Sequence, residues 1–193
     1  MDHLAPHGDA GALVVRSRMG HGSLREKEGV GAVTNVPSME SLSREQLNDA
    51  LIRLNILRTA ELLNPTAVCL LEEAMEALFS VSRHLIVYGS LAPGGLNHSL
   101  VSELEGEWMR GWVTGELLER GWGAAMSYPA LRWCPEGKDI DAFLFISSQL
   151  PEHWRRLDDF EGLEYRRILV PFWSADGPVR VGNVYAMECD LER

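Results

Sequence analysis

Residues 85–95, LIVYGSLAPGG, run from an apolar segment directly into a glycine-rich loop. The apolar segment is typical of a β-strand, and a short helix is expected to follow from Asn97 or His98. Glycines let the main chain turn sharply, so successive N–H groups can point into one concavity and bind an anion or a carbonyl oxygen. The loop therefore predicts a cradle for an oxyanion or a carboxylate, with an ordinary turn as the alternative.

The same loop lacks the residues of the common catalytic loops. No Gly-Lys-Ser/Thr follows it, so it is not a P-loop, and the dinucleotide motif G-x-G-x-x-G is absent. Ser90 does not stand in a G-x-S-x-G elbow, and no Ser–His–Asp order is legible. Ser90 is therefore not predicted to be a nucleophile.

A second motif, residues 154–167, reads WRRLDDFEGLEYRR. On a helix, Trp154, Leu157 and Glu161 stand at i, i+3 and i+7, so the carboxyl group shares a stripe with two large apolar side chains. Asp159 falls on another face. The pattern predicts that Glu161 is directed toward the core.

Gly162 is the natural residue to end this helix, which places Glu161 in the last turn, at the negative end of the helix dipole. Burial and the dipole both disfavour the carboxylate, so the pKa of Glu161 is predicted to be raised. Such a group suits proton transfer. The alternatives are a solvated residue at the helix end or an ion pair with Arg166 or Arg167.

The remaining pattern predicts an α+β domain with a curved, mixed or mostly antiparallel sheet. One long helix is expected over 151–160. The segments with strand character are 85–88, 111–117, 142–146, 168–173 and 179–187.

Aromatic residues divide the chain near residue 80. Residues 81–193 hold all six tryptophans, all four tyrosines and four of the five phenylalanines, which predicts that this part contains the packed core. Residues 1–40 are glycine-rich and without periodicity, so we expect a disordered tail there. Residues 41–80 are predicted to form a helical hairpin.

The hairpin has its own signals. Ser43 and Gln46 resemble a capping box, and Asn64 followed by proline predicts a break between two helices. Apolar residues recur at helical spacing in both helices. Their stripes either pack on the main domain or form a surface for a partner or a homodimer.

Composition narrows the function. The formal charge is −10 with no basic run longer than a pair, which argues against nucleic acid as a partner. No apolar stretch approaches the length of a membrane span, and no secretory signal is legible. An odd number of widely spaced cysteines favours the cytoplasm over a disulfide scaffold, and no spacing predicts a metal site.

The two motifs together resemble the gamma-glutamylcyclotransferase-like (AIG2-like) family. Tyr88-Gly89-Ser90-Leu91 corresponds to the family's loop, and residues 158–167 match its Asp-x-x-Glu-Gly-x-x-Tyr-x-Arg segment. Ala142 replaces an expected glycine, a departure that touches no proposed catalytic group. The resemblance covers about residues 84–188 and implies a small barrel-like α+β domain.

The resemblance also implies an activity, the release of 5-oxoproline from a small gamma-glutamyl amine or amino acid without a cofactor. Glu161 would act as the proton carrier, and the main chain of Gly89, Ser90 and Leu91 would bind the substrate. Tyr88, Tyr128 and Tyr165 would line the pocket; for each of them a purely structural aromatic role is the alternative.

Two other functions remain open at this point. One is a non-catalytic binding or assembly module with the same fold, in which the helical hairpin does the work. The other is a hydrolase or acyl transferase that uses the same cradle with water or a second amine as nucleophile. The identity of the leaving amine is not readable from the sequence.

Overall fold

The computed structural model describes residues 42–59, 65–119, 129–175 and 177–187. The elements in chain order are α1 (Arg44–Thr59), α2 (Pro65–Phe79), a 3₁₀ turn (Val81–Arg83), β1 (His84–Val87), α3 (Ser99–Ser102), β2 (Glu107–Leu118), β3 (Ala130–Trp133), β4 (Lys138–Ile146), α4 (Leu150–Glu161), β5 (Arg166–Phe172) and β6 (Arg180–Ala186).

Three expectations lie outside these ranges: the tail over residues 1–40, the helix break at Asn64, and the pocket role of Tyr128. No helix in the described part of the chain is long and apolar enough to cross a bilayer.

The six strands form one sheet in the order β3-β2-β4-β1-β6-β5. All neighbours are antiparallel except β1 and β6, so the sheet is mixed. Its ends approach each other, because Trp112 and Trp173 exchange two main-chain hydrogen bonds of 2.9 Å. A side chain on Gly111 would collide with the carbonyl oxygen of Trp173. The sheet is therefore a nearly closed barrel, which confirms the predicted fold class.

All five predicted strands are present, and the structure adds one. β2 and β4 begin four residues earlier than their patterns suggested. β3 was not predicted, since four residues are too few to show a period. The short helix predicted from Asn97 or His98 is present as α3 and begins one residue after His98.

The two N-terminal helices pack on the outer side of β5 and β6. Ser43 and Gln46 form the predicted reciprocal cap, with bonds of 2.9 and 3.1 Å. The buried apolar cluster joins both helices to the sheet and contains Leu47, Leu51, Leu54, Met75, Phe79, Val81, Leu169 and Val181. The stripes thus pack within the chain; self-association through these helices stays a prediction, which sedimentation at several concentrations would test.

One polar side chain fastens α1 to the sheet. The Asn55 amide donates to the carbonyl oxygen of Leu169 at 2.8 Å and accepts from its N–H at 3.0 Å. β5 is the last strand in the sheet, and the Asn55 side chain makes the two main-chain hydrogen bonds to it that a neighbouring strand would make. The helix therefore protects a strand that lacks a partner on that side at Leu169.

Replacing Asn55 with alanine is expected to destabilise the fold by about 2 kcal/mol or more, because two buried main-chain groups lose their partners. Urea unfolding followed by tryptophan fluorescence measures the loss. Arg53→Ala, at an exposed position of the same helix, is the matched control and should change the free energy of unfolding by less than about 0.5 kcal/mol. Equal stability of the two variants would contradict the role given to Asn55.

Candidate active site

A pocket opens where β1 ends, between the glycine-rich loop and the C-terminal end of α4. Its empty volume is about 440 Å³, part of which is open to solvent. The lining residues are Ile86, Val87, Tyr88, Gly89, Ser90, Leu91, Pro129, Glu161, Tyr165 and Tyr185. The structure therefore places in one pocket every predicted site residue that it describes.

The loop is shaped by its own hydrogen bonds. The carbonyl oxygens of Gly89, Ser90 and Leu91 accept from the N–H of Ala92 at 3.0 Å, the N–H of Asn97 at 2.9 Å and the ring of His98 at 3.0 Å, respectively. Within the described residues, the N–H groups of Ser90 and Leu91 donate to no protein acceptor. These donors can therefore serve an oxygen of a bound ligand.

Glu161 is the last residue of α4 and stands in the pocket wall opposite this loop. Gly162 ends the helix with a φ of 72°, a conformation that favours glycine, and its N–H donates to the carbonyl oxygen of Asp158 at 3.0 Å. Burial raises the pKa of Glu161 from 4.5 to about 7. The pKa shift of Glu161 has the predicted direction, with burial as its cause. Asp159, predicted to lie on another face of the helix, is exposed.

The tyrosines of the pocket differ in what their hydroxyl groups do. Tyr88 donates to the carbonyl oxygen of Tyr185 at 3.0 Å and accepts from the N–H of Leu131 at 2.9 Å, so its hydroxyl ties β1 to β6 and β3. Burial raises its pKa above the usual value. Tyr165 stands in the wall four residues after Glu161.

Residues 85–193 match the family model described as gamma-glutamyl cyclotransferase, AIG2-like. The chain belongs to this family. The matched segment begins at β1 and includes every described residue of the pocket, while α1 and α2 lie outside it.

Solved structures to which this chain is similar include YkqA, an AIG2-like protein and A2LD1. YkqA from Bacillus subtilis aligns with a TM-score of 0.44 and 22% identity over 55% of this chain, which spans 36% of the length of YkqA. An AIG2-like protein from Mus musculus gives 0.42 and 24%, covering 54% of this chain and 76% of that one. The solution structure of A2LD1 gives 0.41 and 24%, covering 54% and 78%. No curated protein sequence matches the chain significantly.

This member of the AIG2-like family carries a pocket residue that the sequence did not reveal. Tyr185 lies in the wall, and its hydroxyl donates to Oδ1 of Asp158 at 2.7 Å. Its only signal was the alternation of β6, which is equally typical of a core residue. Its register directly opposite Arg167 on β5 became visible only in the structure.

Arg167 pairs with Asp158 and not with the candidate catalytic carboxyl. Its Nε lies 2.8 Å from Oδ1 and its Nη2 lies 3.2 Å from Oδ2. The guanidinium also lies 4.6 Å from the centre of the Trp154 ring. Arg167 thus forms an ion pair with Asp158 on the same helix as Glu161, which excludes the predicted alternative of a Glu161–Arg167 pair.

Proposed function

We propose that the chain is a cofactor-free gamma-glutamyl cyclotransferase that releases 5-oxoproline from a small gamma-glutamyl amine or amino acid. One observation carries the proposal: Glu161, half-buried and with a pKa of about 7, shares a pocket with the Gly89–Ser90–Leu91 loop. Membership of the gamma-glutamyl cyclotransferase, AIG2-like family supports the same reaction class.

The reaction is an intramolecular acyl transfer. The α-amine of the substrate attacks its own γ-carbonyl carbon, a C–N bond forms, and the ring closes to a tetrahedral intermediate. The bond to the carried amine then breaks, giving 5-oxoproline and the free amine. Because nucleophile and electrophile belong to one molecule, holding the reactive conformer provides much of the rate, and no enzyme nucleophile is required.

Glu161 carries the proton in this scheme. As a carboxylate it takes a proton from the substrate's α-ammonium group, and as a carboxylic acid it gives that proton to the departing nitrogen. The ring nitrogen gives up its second proton as the intermediate collapses, and the released amine takes that proton, so the products are a neutral lactam and an ammonium ion. A pKa of about 7 leaves both forms populated near neutral pH. An ordinary glutamate would be almost fully ionised there and a weaker base.

The loop provides the electrostatic part. The N–H groups of Ser90 and Leu91 can donate to the oxyanion of the tetrahedral intermediate or to the substrate carboxylate. Hydrogen bonds fix the loop before any ligand binds, so these donors need no reorganisation.

The proposal extends to the cytoplasm as the working compartment. Cys69 and Cys134 are free thiols in the structure, in keeping with a reducing environment.

A panel of gamma-glutamyl amines, amino acids and ε-lysine isopeptides, with products identified by mass spectrometry, tests the proposed function. We expect 5-oxoproline and the free amine in equal amounts from at least one class of compound. Glutamate as the product would identify a hydrolase, and transfer to an added amine would identify an intermolecular acyl transferase. No conversion of any compound would favour the non-catalytic binding module.

A further inference from the structure

The hydroxyl of Tyr185 is the end of a chain of polar contacts that leads away from the pocket. It donates to Oδ1 of Asp158 at 2.7 Å, and Arg167 binds both oxygens of the same carboxylate. Arg167 is backed by the Trp154 ring, whose Nε1 donates to the carbonyl oxygen of Ser82 at 2.9 Å. The orientation of Tyr185 is therefore held from α4, β5 and the 3₁₀ turn together.

This chain fixes the polarity of the phenol. A carboxylate that pairs with an arginine is ionised and can only accept hydrogen bonds, so the Tyr185 proton must point toward Asp158. The phenol itself remains protonated, because burial and the neighbouring Asp158 raise its pKa. With its one proton committed, the phenol oxygen can only accept a further hydrogen bond.

A hydrogen-bond acceptor in this wall complements the loop, whose unbonded main-chain groups are N–H donors. The substrate's α-ammonium group has three N–H bonds to donate, whereas the unbonded main-chain groups of the loop are the N–H donors of Ser90 and Leu91, and each loop carbonyl oxygen already accepts one hydrogen bond. Glu161 can take only one of those protons. A second acceptor would hold the nitrogen in place while its lone pair is freed toward the γ-carbonyl carbon.

We infer that Tyr185 is this second acceptor, receiving a hydrogen bond from the substrate's α-amino group, and that Asp158 and Arg167 are positioning residues that fix its polarity. The inference rests on the proposed function. Tyr88 does not qualify, because its hydroxyl already donates to one main-chain group and accepts from another.

The test compares two ligands that differ only in the α-amino group: γ-glutamyl methylamide and N-methylglutaramate. Their dissociation constants are measured by calorimetry in the Glu161→Gln background, where the amide is expected to persist long enough for binding to be measured. We expect that background to bind the amine-bearing ligand at least about tenfold more tightly, as a hydrogen bond from a charged donor implies. Adding Tyr185→Phe should reduce the ratio to within about threefold.

Asp158→Asn is the second variant, and it is expected to change the ratio of the two dissociation constants while Tyr185 stays in place. In this variant the asparagine oxygen still accepts from Arg167, and the asparagine NH₂ group donates to the Tyr185 hydroxyl. The Tyr185 oxygen is then an acceptor on the side of residue 158, and its own proton points toward the pocket. The preference for the amine-bearing ligand should fall in this variant as well. Asp159→Asn, at the adjacent exposed position, is the matched control and should keep the ratio.

The outcomes separate the two proposals. Wild-type turnover together with an unchanged ratio in both Tyr185→Phe and Asp158→Asn would overturn the role of Tyr185 and leave the cyclotransferase intact. Absence of 5-oxoproline from the wild type would overturn the proposed function itself. If Tyr185→Phe does not fold, which circular dichroism shows, the ratio in Asp158→Asn alone decides.

Discussion

Replacing Glu161 with glutamine is expected to lower kcat for 5-oxoproline release by roughly 10²- to 10⁴-fold, the contribution typical of a positioned general acid–base. Glutamine keeps the size and the hydrogen-bonding reach of the side chain but cannot take a proton from the α-ammonium group or return one to the leaving amine. Asp159→Asn is the matched control: it removes an exposed carboxyl group two residues before Glu161 and should retain full activity. Activity of Glu161→Gln within tenfold of wild type would contradict the proton-carrier role.

The pH profile gives the same prediction a second signature. Since free enzyme must hold Glu161 as a carboxylate to act first as a base, kcat/KM of the wild type should fall tenfold per pH unit below about 7. The residual kcat/KM of Glu161→Gln should not show this fall at low pH. If kcat/KM of the wild type instead began to fall only near pH 4.5, the Glu161 carboxyl would not be buried in solution.

Melting temperatures show whether Glu161→Gln loses activity through misfolding or through loss of the carboxyl group. The folded-state pKa of Glu161 lies above its ordinary value of 4.5, so the folded protein binds the proton more tightly and this residue's contribution to stability decreases as pH rises from about 4.5 to about 7. Glutamine is neutral at every pH. We therefore expect Glu161→Gln to melt at a higher temperature than wild type at pH 8 and at a similar temperature at pH 4.

The two halves of the pocket were predictable because each has a local signal. Glycines after an apolar run predict the loop, and the stripe of Trp154 and Leu157 predicts the direction of Glu161. Their meeting is not local, because it depends on where α4 crosses the end of β1. Only the resemblance to a family brought the two motifs together before the structure did.

Other contacts could not be predicted because they depend on register between distant elements. Asn55 looks like part of the polar face of α1, yet it bonds both main-chain groups of Leu169, 114 positions later. Tyr185 reads as an alternating core residue, yet its register opposite Arg167 brings it to Asp158. Single-residue spacing carries no information on either contact.

Replacing Gly95 with alanine is expected to lower kcat/KM by about 10- to 100-fold, the cost of displacing a positioning group by about an ångström. A Cβ on Gly95 would collide with the carbonyl oxygen of Ser90 and lie 3.0 Å from that of Ala92. Both neighbours are backbone, and the Ser90 oxygen already accepts from the N–H of Asn97. Relief therefore requires the loop itself to open, which moves the N–H groups of Ser90 and Leu91 away from the substrate.

The effect of Gly95→Ala should appear in binding as well as in turnover, which distinguishes it from Glu161→Gln. N-methylglutaramate should bind more weakly to Gly95→Ala, because its oxygens lose the loop donors, whereas Glu161→Gln should bind it about as well as wild type does, since that ligand brings no ammonium group to the carboxyl. Ser99→Ala, at an exposed position just beyond the loop, controls for general loosening and should leave both measurements unchanged. Wild-type kcat/KM in Gly95→Ala would mean that the loop tolerates displacement, and that its N–H groups do not stabilise the oxyanion.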